Sequence, residues 1–197
     1  MKRLIRANSE GNSMINFEPA FELLNKKLVS INKSLELVCA GGFVMQLHGY
    51  RGTIDIDAFY RSTAELEDII KQVGDEFGIN RPDELWLNNS VSTMNPMPPV
   101  EHRKVIYNFS NLRVKAVDLD YLIGMKLNSG REQDLKDVVT ILKDKNYKQP
   151  FDLLSILKNI GFQIDIADLL ESFGMAHGMD WLETFYSDNE AKLGEYF

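Results

Sequence analysis

The chain has 197 residues, 44% of them hydrophobic, so it can bury a core, and no run approaches the roughly eighteen apolar residues of a membrane helix. Its formal charge of −7 argues against a basic face for a nucleic-acid backbone, while leaving room for a local basic groove built from Lys and Arg. The single cysteine, Cys39, cannot close an internal disulfide, which fits a reducing cytoplasm.

Residues 1–13 are basic and then polar, with no apolar stretch behind them, and are expected to form a flexible tail rather than a cleaved leader. From Phe17 to Val29 the apolar residues Phe17, Phe21, Leu24 and Leu28 recur at helical spacing. Leu35 to Ala40 is short and apolar, as a buried strand is, and it runs into Gly41-Gly42. A short helix is expected over Phe43 to His48. Thr53 to Tyr60 alternates, with Ile54, Ile56 and Ala58 on one side and Thr53, Asp55 and Asp57 on the other, which predicts a strand.

Ser62 opens a capping-box pattern, followed by a helix that carries Leu66, Ile69, Ile70, Val73 and Phe77. Leu85 to Leu87 reads as a short strand, and residues 88–101, with Pro96, Pro98 and Pro99, as a loop. Val105 to Phe109 and Leu112 to Val117 read as a hairpin. Asp118 is expected to cap a helix through Leu127, and a second helix follows from Arg131 to Lys145. From Pro150 onward the pattern is helical, and its aromatic residues (Trp181, Phe185, Tyr186, Tyr196, Phe197) are expected to pack that segment, the alternative being an interface with a partner or a second copy. The expected organisation is a tail over 1–13, an α/β core over 14–147 and a helical C-terminal extension over 148–197.

Two places carry chemistry. On a strand, Asp55 and Asp57 share a face, and like charges so close repel unless a cation neutralises them. Mg2+ suits such a pair, because it binds one or two carboxylates together with phosphate oxygens and water. The plain alternative is the solvated face of an edge strand. Gly41-Gly42 ends a strand and opens a helix, where a phosphate can approach the main chain closely. Further on, Lys126 falls on the apolar stripe Leu119, Leu122, Ile123, Leu127, so it either reaches the rim or faces a buried anion. Arg131 and Asp134 stand one turn apart and can pair. His48, His102 and His177 lie far apart in sequence and are expected to be structural or surface residues.

The run strand–Gly-Gly–helix–G-x-R-x-T-x-D-I-D resembles the first motif of the nucleotidyltransferase fold. It is most similar to the subgroup of abortive-infection type toxins and related bacterial nucleotidyltransferases. The run "MKLNSGREQDLKDVVTIL" resembles that subgroup's downstream motif. The resemblance implies a small mixed sheet flanked by helices. It implies that Gly41 and Gly42 cradle the triphosphate, Asp55 and Asp57 hold Mg2+ (or Mn2+), and Arg51 and Thr53 support the phosphate turn. Lys126 would contact the phosphates, while Arg131 and Asp134 would complete or brace the site.

The implied reaction moves a nucleoside monophosphate from an NTP to an acceptor, which could be RNA, a protein or a small molecule, and releases pyrophosphate. A catalytically silent nucleotide-binding relative is one alternative. A toxin that modifies tRNA, with an antitoxin-like protein partner, is another. The family's third carboxylate has no counterpart inside the hairpin strands, which leaves Asp118 at the strand end as the candidate.

Overall fold

The computed structural model describes residues 5–7 and 13–196. Where a tail was expected, β1 (Ile5–Ala7) pairs antiparallel with β2 (Ser13–Ile15), and the other residues of that segment lie outside the described residues. The chain divides into two compact units, Met1–Asp118 and Leu119–Phe197. The division therefore falls ahead of the helices that carry Lys126, Arg131 and Asp134, which the sequence reading grouped with the core.

The first unit is a mixed α/β structure. Its helices are α1 (Glu18–Ser30), α2 (Gly41–Leu47), α3 (Ala64–Phe77) and the one-turn α4 (Val91–Met94). Its five-stranded sheet contains β3 (Leu35–Cys39), β4 (Ile56–Phe59), β5 (Leu87–Asn88), β6 (Arg103–Asn108) and β7 (Leu112–Val117), in the order β5-β4-β3-β7-β6. β3 runs antiparallel to β4 and parallel to β7, β4 runs parallel to β5, and β6 and β7 form the expected hairpin.

One face of the sheet carries the core. Phe17, just ahead of α1, and Phe21, Leu24 and Leu28 of that helix meet Leu66, Ile69, Ile70, Val73 and Phe77 of α3 over Leu37, Cys39, Ile56, Ala58, Leu112 and Val114. Each leucine, isoleucine, valine or phenylalanine among them contributes about 1.5–3 kcal/mol when fully buried. Trp86 closes the layer, with Nε1 donating to Ile70 O at 2.9 Å.

Three local expectations are corrected. The strand predicted over 53–60 covers only Ile56–Phe59, and Ile54 is half exposed instead of facing inward. β5 first pairs at Ile56, opposite Leu87, and the Thr53 hydroxyl bonds locally to Asp55, so residues 53–55 turn instead of joining the ladder. The α3 cap is Thr63, whose side chain accepts from Leu66 N, while Ser62 bonds Glu67. The loop over 88–101 contains α4 and a 3-10 turn at Val100–His102.

The second unit is all helical: α5 (Leu119–Ser129), α6 (Glu132–Asp144), α7 (Pro150–Ile160), α8 (Ile166–His177), α9 (Met179–Asp188) and α10 (Glu190–Leu193). α5 is buried without a break from Tyr121 to Leu127. Gly124 allows this, since a Cβ there would lie 2.4 Å from Phe162 Cδ2. Of the terminal aromatics, Trp181 and Phe185 stack with Phe151 and Phe173 within this unit and Tyr196 lies against Phe151, whereas Tyr186 is exposed; Phe197 lies outside the described residues. No helix among the described residues is long and apolar enough to cross a membrane.

Candidate functional site

The glycine corner and the aspartate strand meet because β3 and β4 are neighbours. Ala40 N donates to Asp57 O at 2.8 Å, which sets the start of α2 against the middle of β4. Gly41 has φ +58°, a left-handed conformation that glycine adopts without strain. A Cβ on Gly41 would lie 2.6 Å from Asp57 Oδ2. A Cβ on Gly42 would lie 2.5 Å from Thr53 Oγ1 and 3.4 Å from Arg51 Nη1. Gly41, Gly42, Arg51, Thr53 and Asp57 therefore converge on one corner, and the Thr53 hydroxyl donates to Asp55 Oδ1 at 3.0 Å.

Both glycines are thus required by close approach. Replacing Gly42 with alanine is expected to displace Thr53 and release Asp55, at a cost of about 1–3 kcal/mol. A urea titration measures the loss, and activity should fall further than stability alone explains.

Asp57 sits in a setting hostile to its charge. Burial pushes its carboxyl above the ordinary carboxylate range, and the charge of Asp55 pushes the same way; Asn88 and Ser90 beside it pull down, and Glu84 adds a small upward push. Among the described residues, neither Asp55 nor Asp57 has an ion-pair partner. Ser90 Oγ reaches Asp57 Oδ1 at 3.3 Å, and Asn88 stands opposite Asp57 on β5. The Asn88 Nδ2 group is buried and makes no hydrogen bond.

Two uncompensated carboxylates beside a glycine corner suit a hard divalent cation such as Mg2+ or Mn2+. The described residues offer no cluster of three or more acidic, histidine or cysteine ligands. A divalent cation held here would have two carboxylates from the described residues, and its remaining ligands would have to be other oxygens.

Sequence reasoning missed Gln46, Asn88 and Ser90. Gln46 Oε1 accepts from Thr53 N at 3.1 Å and its Nε2 donates to Ile15 O at 2.8 Å, pinning the loop that carries Arg51 and Thr53. Only its place one turn into the short helix hinted at this. Asn88 and Ser90 reach the site through the non-local pairing of β4 with β5, and no local pattern signals that pairing.

The second unit brings together Lys126, Arg131 and Asp134. Lys126, Asp134 and Asp137 are 3%, 5% and 2% exposed. Lys126 Nζ donates to Asp134 Oδ1 at 2.7 Å and to Asp137 Oδ2 at 2.6 Å. Arg131 Nε donates to Asp134 Oδ2 at 2.7 Å, and the Ser129 hydroxyl bonds the same oxygen. Burial alone would raise the Asp134 carboxyl, but Lys126, Ser129 and Arg131 outweigh it and hold it below the ordinary range. Of the two fates open to a lysine on an apolar stripe, this one faces buried anions. Asp137 lies in the same motif but had no expected role.

A family model described as a nucleotidyltransferase of unknown function (DUF6036) matches residues 16–155. No curated protein and no solved structure matches the chain.

Proposed function

The chain belongs to this family of nucleotidyltransferases (DUF6036), and we propose that it moves a nucleoside monophosphate from an NTP to an acceptor hydroxyl or phosphate, releasing pyrophosphate. The observation that carries this reading is the approach of Gly41 to Asp57, too close for any side chain on Gly41, beside two carboxylates that have no ion-pair partner among the described residues. Asp55 and Asp57 would hold Mg2+ or Mn2+, which supplies neutralisation of the triphosphate and stabilises charge as the α-phosphate is attacked.

The chain's own residues do the rest. The corner at Gly41 and Gly42 lets phosphate oxygens approach the main chain, because no Cβ stands in the way. Arg51, whose guanidinium lies at Gly42, presents planar N–H donors suited to phosphate. Thr53 orients Asp55 through its hydroxyl. Lys126, Arg131 and Asp134 brace α5 against α6 in this reading. Two of the three Lys126 donors are already committed to carboxylates, which favours bracing over contact with phosphate.

The test pairs calorimetry with pyrophosphate release, using ATP, GTP, CTP and UTP with and without Mg2+. Binding and release that both require the metal are expected. Binding without release would instead assign the chain to the silent relatives. Labelled NTP in a cell extract identifies the acceptor, and label on tRNA would align the chain with abortive-infection type toxins.

A further inference from the structure

Asp118, the carboxylate that the sequence offered as a third acid, pairs with His102 at 2.8 Å, and the residue that faces Asp57 across the ladder is an amide. Asn88 lies opposite Asp57 in the parallel pair of β4 and β5, so both side chains leave the same face of the sheet. Asn88 Oδ1 accepts from Ser90 N at 3.1 Å and from the Ser90 hydroxyl at 2.6 Å. Only the oxygen of an amide accepts such bonds, so the orientation of the group is fixed. Its Nδ2 end points away from Ser90, is buried, and makes no hydrogen bond among the described residues. A buried donor with no acceptor is unfavourable, and such a group calls for an explanation.

The two oxygens of Asp57 face different neighbours. Oδ2 is the atom that a Cβ on Gly41 would meet at 2.6 Å, so it belongs to the glycine corner. Oδ1 stands 3.3 Å from Ser90 Oγ, on the side of β5. The Ser90 hydroxyl has one proton, and Asn88 Oδ1 is the closer of its two acceptors. Ser90 therefore holds the amide first and Asp57 second. Asn88 favours the charged form of Asp57, against burial and against the charge of Asp55. Carboxylates that bind metal are commonly held by such a donor from a neighbouring residue.

We propose that Asn88, held by Ser90, is the positioning residue of the metal grip: its Nδ2 donates to Asp57 Oδ1 once a divalent cation is bound, leaving the oxygen at the glycine corner for the cation. The inference rests on the transferase reading through its metal site alone. A bound cation keeps Asp57 ionised, and an ionised carboxylate is the stronger acceptor for a buried N–H. Asn88 supplies no metal ligand itself. Its loss weakens the grip by letting the Asp57 carboxylate turn, while both carboxylates stay in place.

The test compares wild type with Asn88→Ala, Ser90→Ala and the double variant, each checked for folding by its thermal melt without divalent ions. Mn2+ alone is titrated into each, with the electron paramagnetic resonance signal reporting free ion. Asn88→Ala should raise the half-saturating Mn2+ concentration by about 10–100-fold. Ser90→Ala should shift it the same way by less, and the double variant should lose no more than Asn88→Ala, because Ser90 acts through the amide. In the pyrophosphate assay, excess Mn2+ should restore most of the rate of Asn88→Ala. A merely structural role would lower the melt and leave the Mn2+ titration of the folded protein unmoved, and that result overturns the proposal, as does an additive loss in the double variant. Ser90 is exposed, so Ser90→Ala gives a reading even where Asn88→Ala does not fold; no shift there overturns the proposal too. Failure of wild type to bind Mn2+ ends the metal site and this inference together. Wild type that binds Mn2+ but releases no pyrophosphate from any NTP defeats the transferase reading alone, and a raised half-saturation in the variants still supports the role of Asn88.

Discussion

Replacing Asp57 with asparagine is expected to abolish the proposed pyrophosphate release and at the same time to raise the melting temperature. The two effects share a cause. The wild-type carboxylate is held in a partly desolvated place beside Asp55, with no cation from the described residues to offset it. Asparagine keeps the shape, accepts from Ser90 as before, and removes the repulsion. The expected gain is about 1 kcal/mol, or about 2–4 °C for a chain of this size. The expected loss of activity exceeds about 10³-fold, because the grip on the metal falls from two carboxylates to one. A variant that loses both activity and stability would mean that Asp57 is held by contacts this structure does not contain.

The pH dependence of that gain follows from its sign. A carboxyl whose value is raised on folding binds its proton more tightly in the folded state. Its unfavourable contribution is therefore absent below the ordinary carboxylate range and grows as pH rises through the raised value. The advantage of Asp57→Asn over wild type should be full at neutral pH, shrink as pH falls through the raised value, and vanish at the ordinary one. Urea midpoints measured across that range, without divalent ions, check it. Saturating Mn2+ should close the neutral-pH gap, since it stabilises only the wild type to that extent.

The parts of this site that were legible in the sequence are those carried by short-range pattern. The run through Leu37 to Cys39 reads as a strand because apolar residues fill it, and Gly41-Gly42 reads as a corner because little else can turn a strand into a helix so closely. Asp55 and Asp57 were legible as a pair, but not in their geometry. Thr53 diverts the chain into a local turn, so Asp57 alone lies on the strand and Asp55 is placed by a hydroxyl. The neighbours of Asp57 come from β5, through a pairing distant in sequence. Periodicity reports which face of an element is buried and carries no information on which element lies beside it. Lys126 shows the same boundary. Its place on an apolar stripe left a rim position and a buried anion both open, and Asp134 and Asp137 as its two anions emerged only once α6 had folded back on α5.

Lys126→Met is expected to cost about 3–5 kcal/mol, the largest stability loss of any single change considered, because it leaves Asp134 and Asp137 buried without their cation. Arg131 cannot replace it: its side chain is 79% exposed and pairs only with the outer oxygen of Asp134. A single variant that fails to fold says nothing about catalysis, so the decisive protein is the triple change Lys126→Met, Asp134→Leu, Asp137→Leu. Removing all three charges together replaces a buried ionic cluster with apolar side chains, which is commonly neutral or stabilising where removing one partner is not. Stability of the triple variant should return to within about 1–2 kcal/mol of wild type in a denaturant titration. If pyrophosphate release returns with it, the cluster braces the helices and nothing more. If the fold returns and release does not, Lys126 also serves the phosphates, and the bracing assignment gives way to the contact that its motif implied.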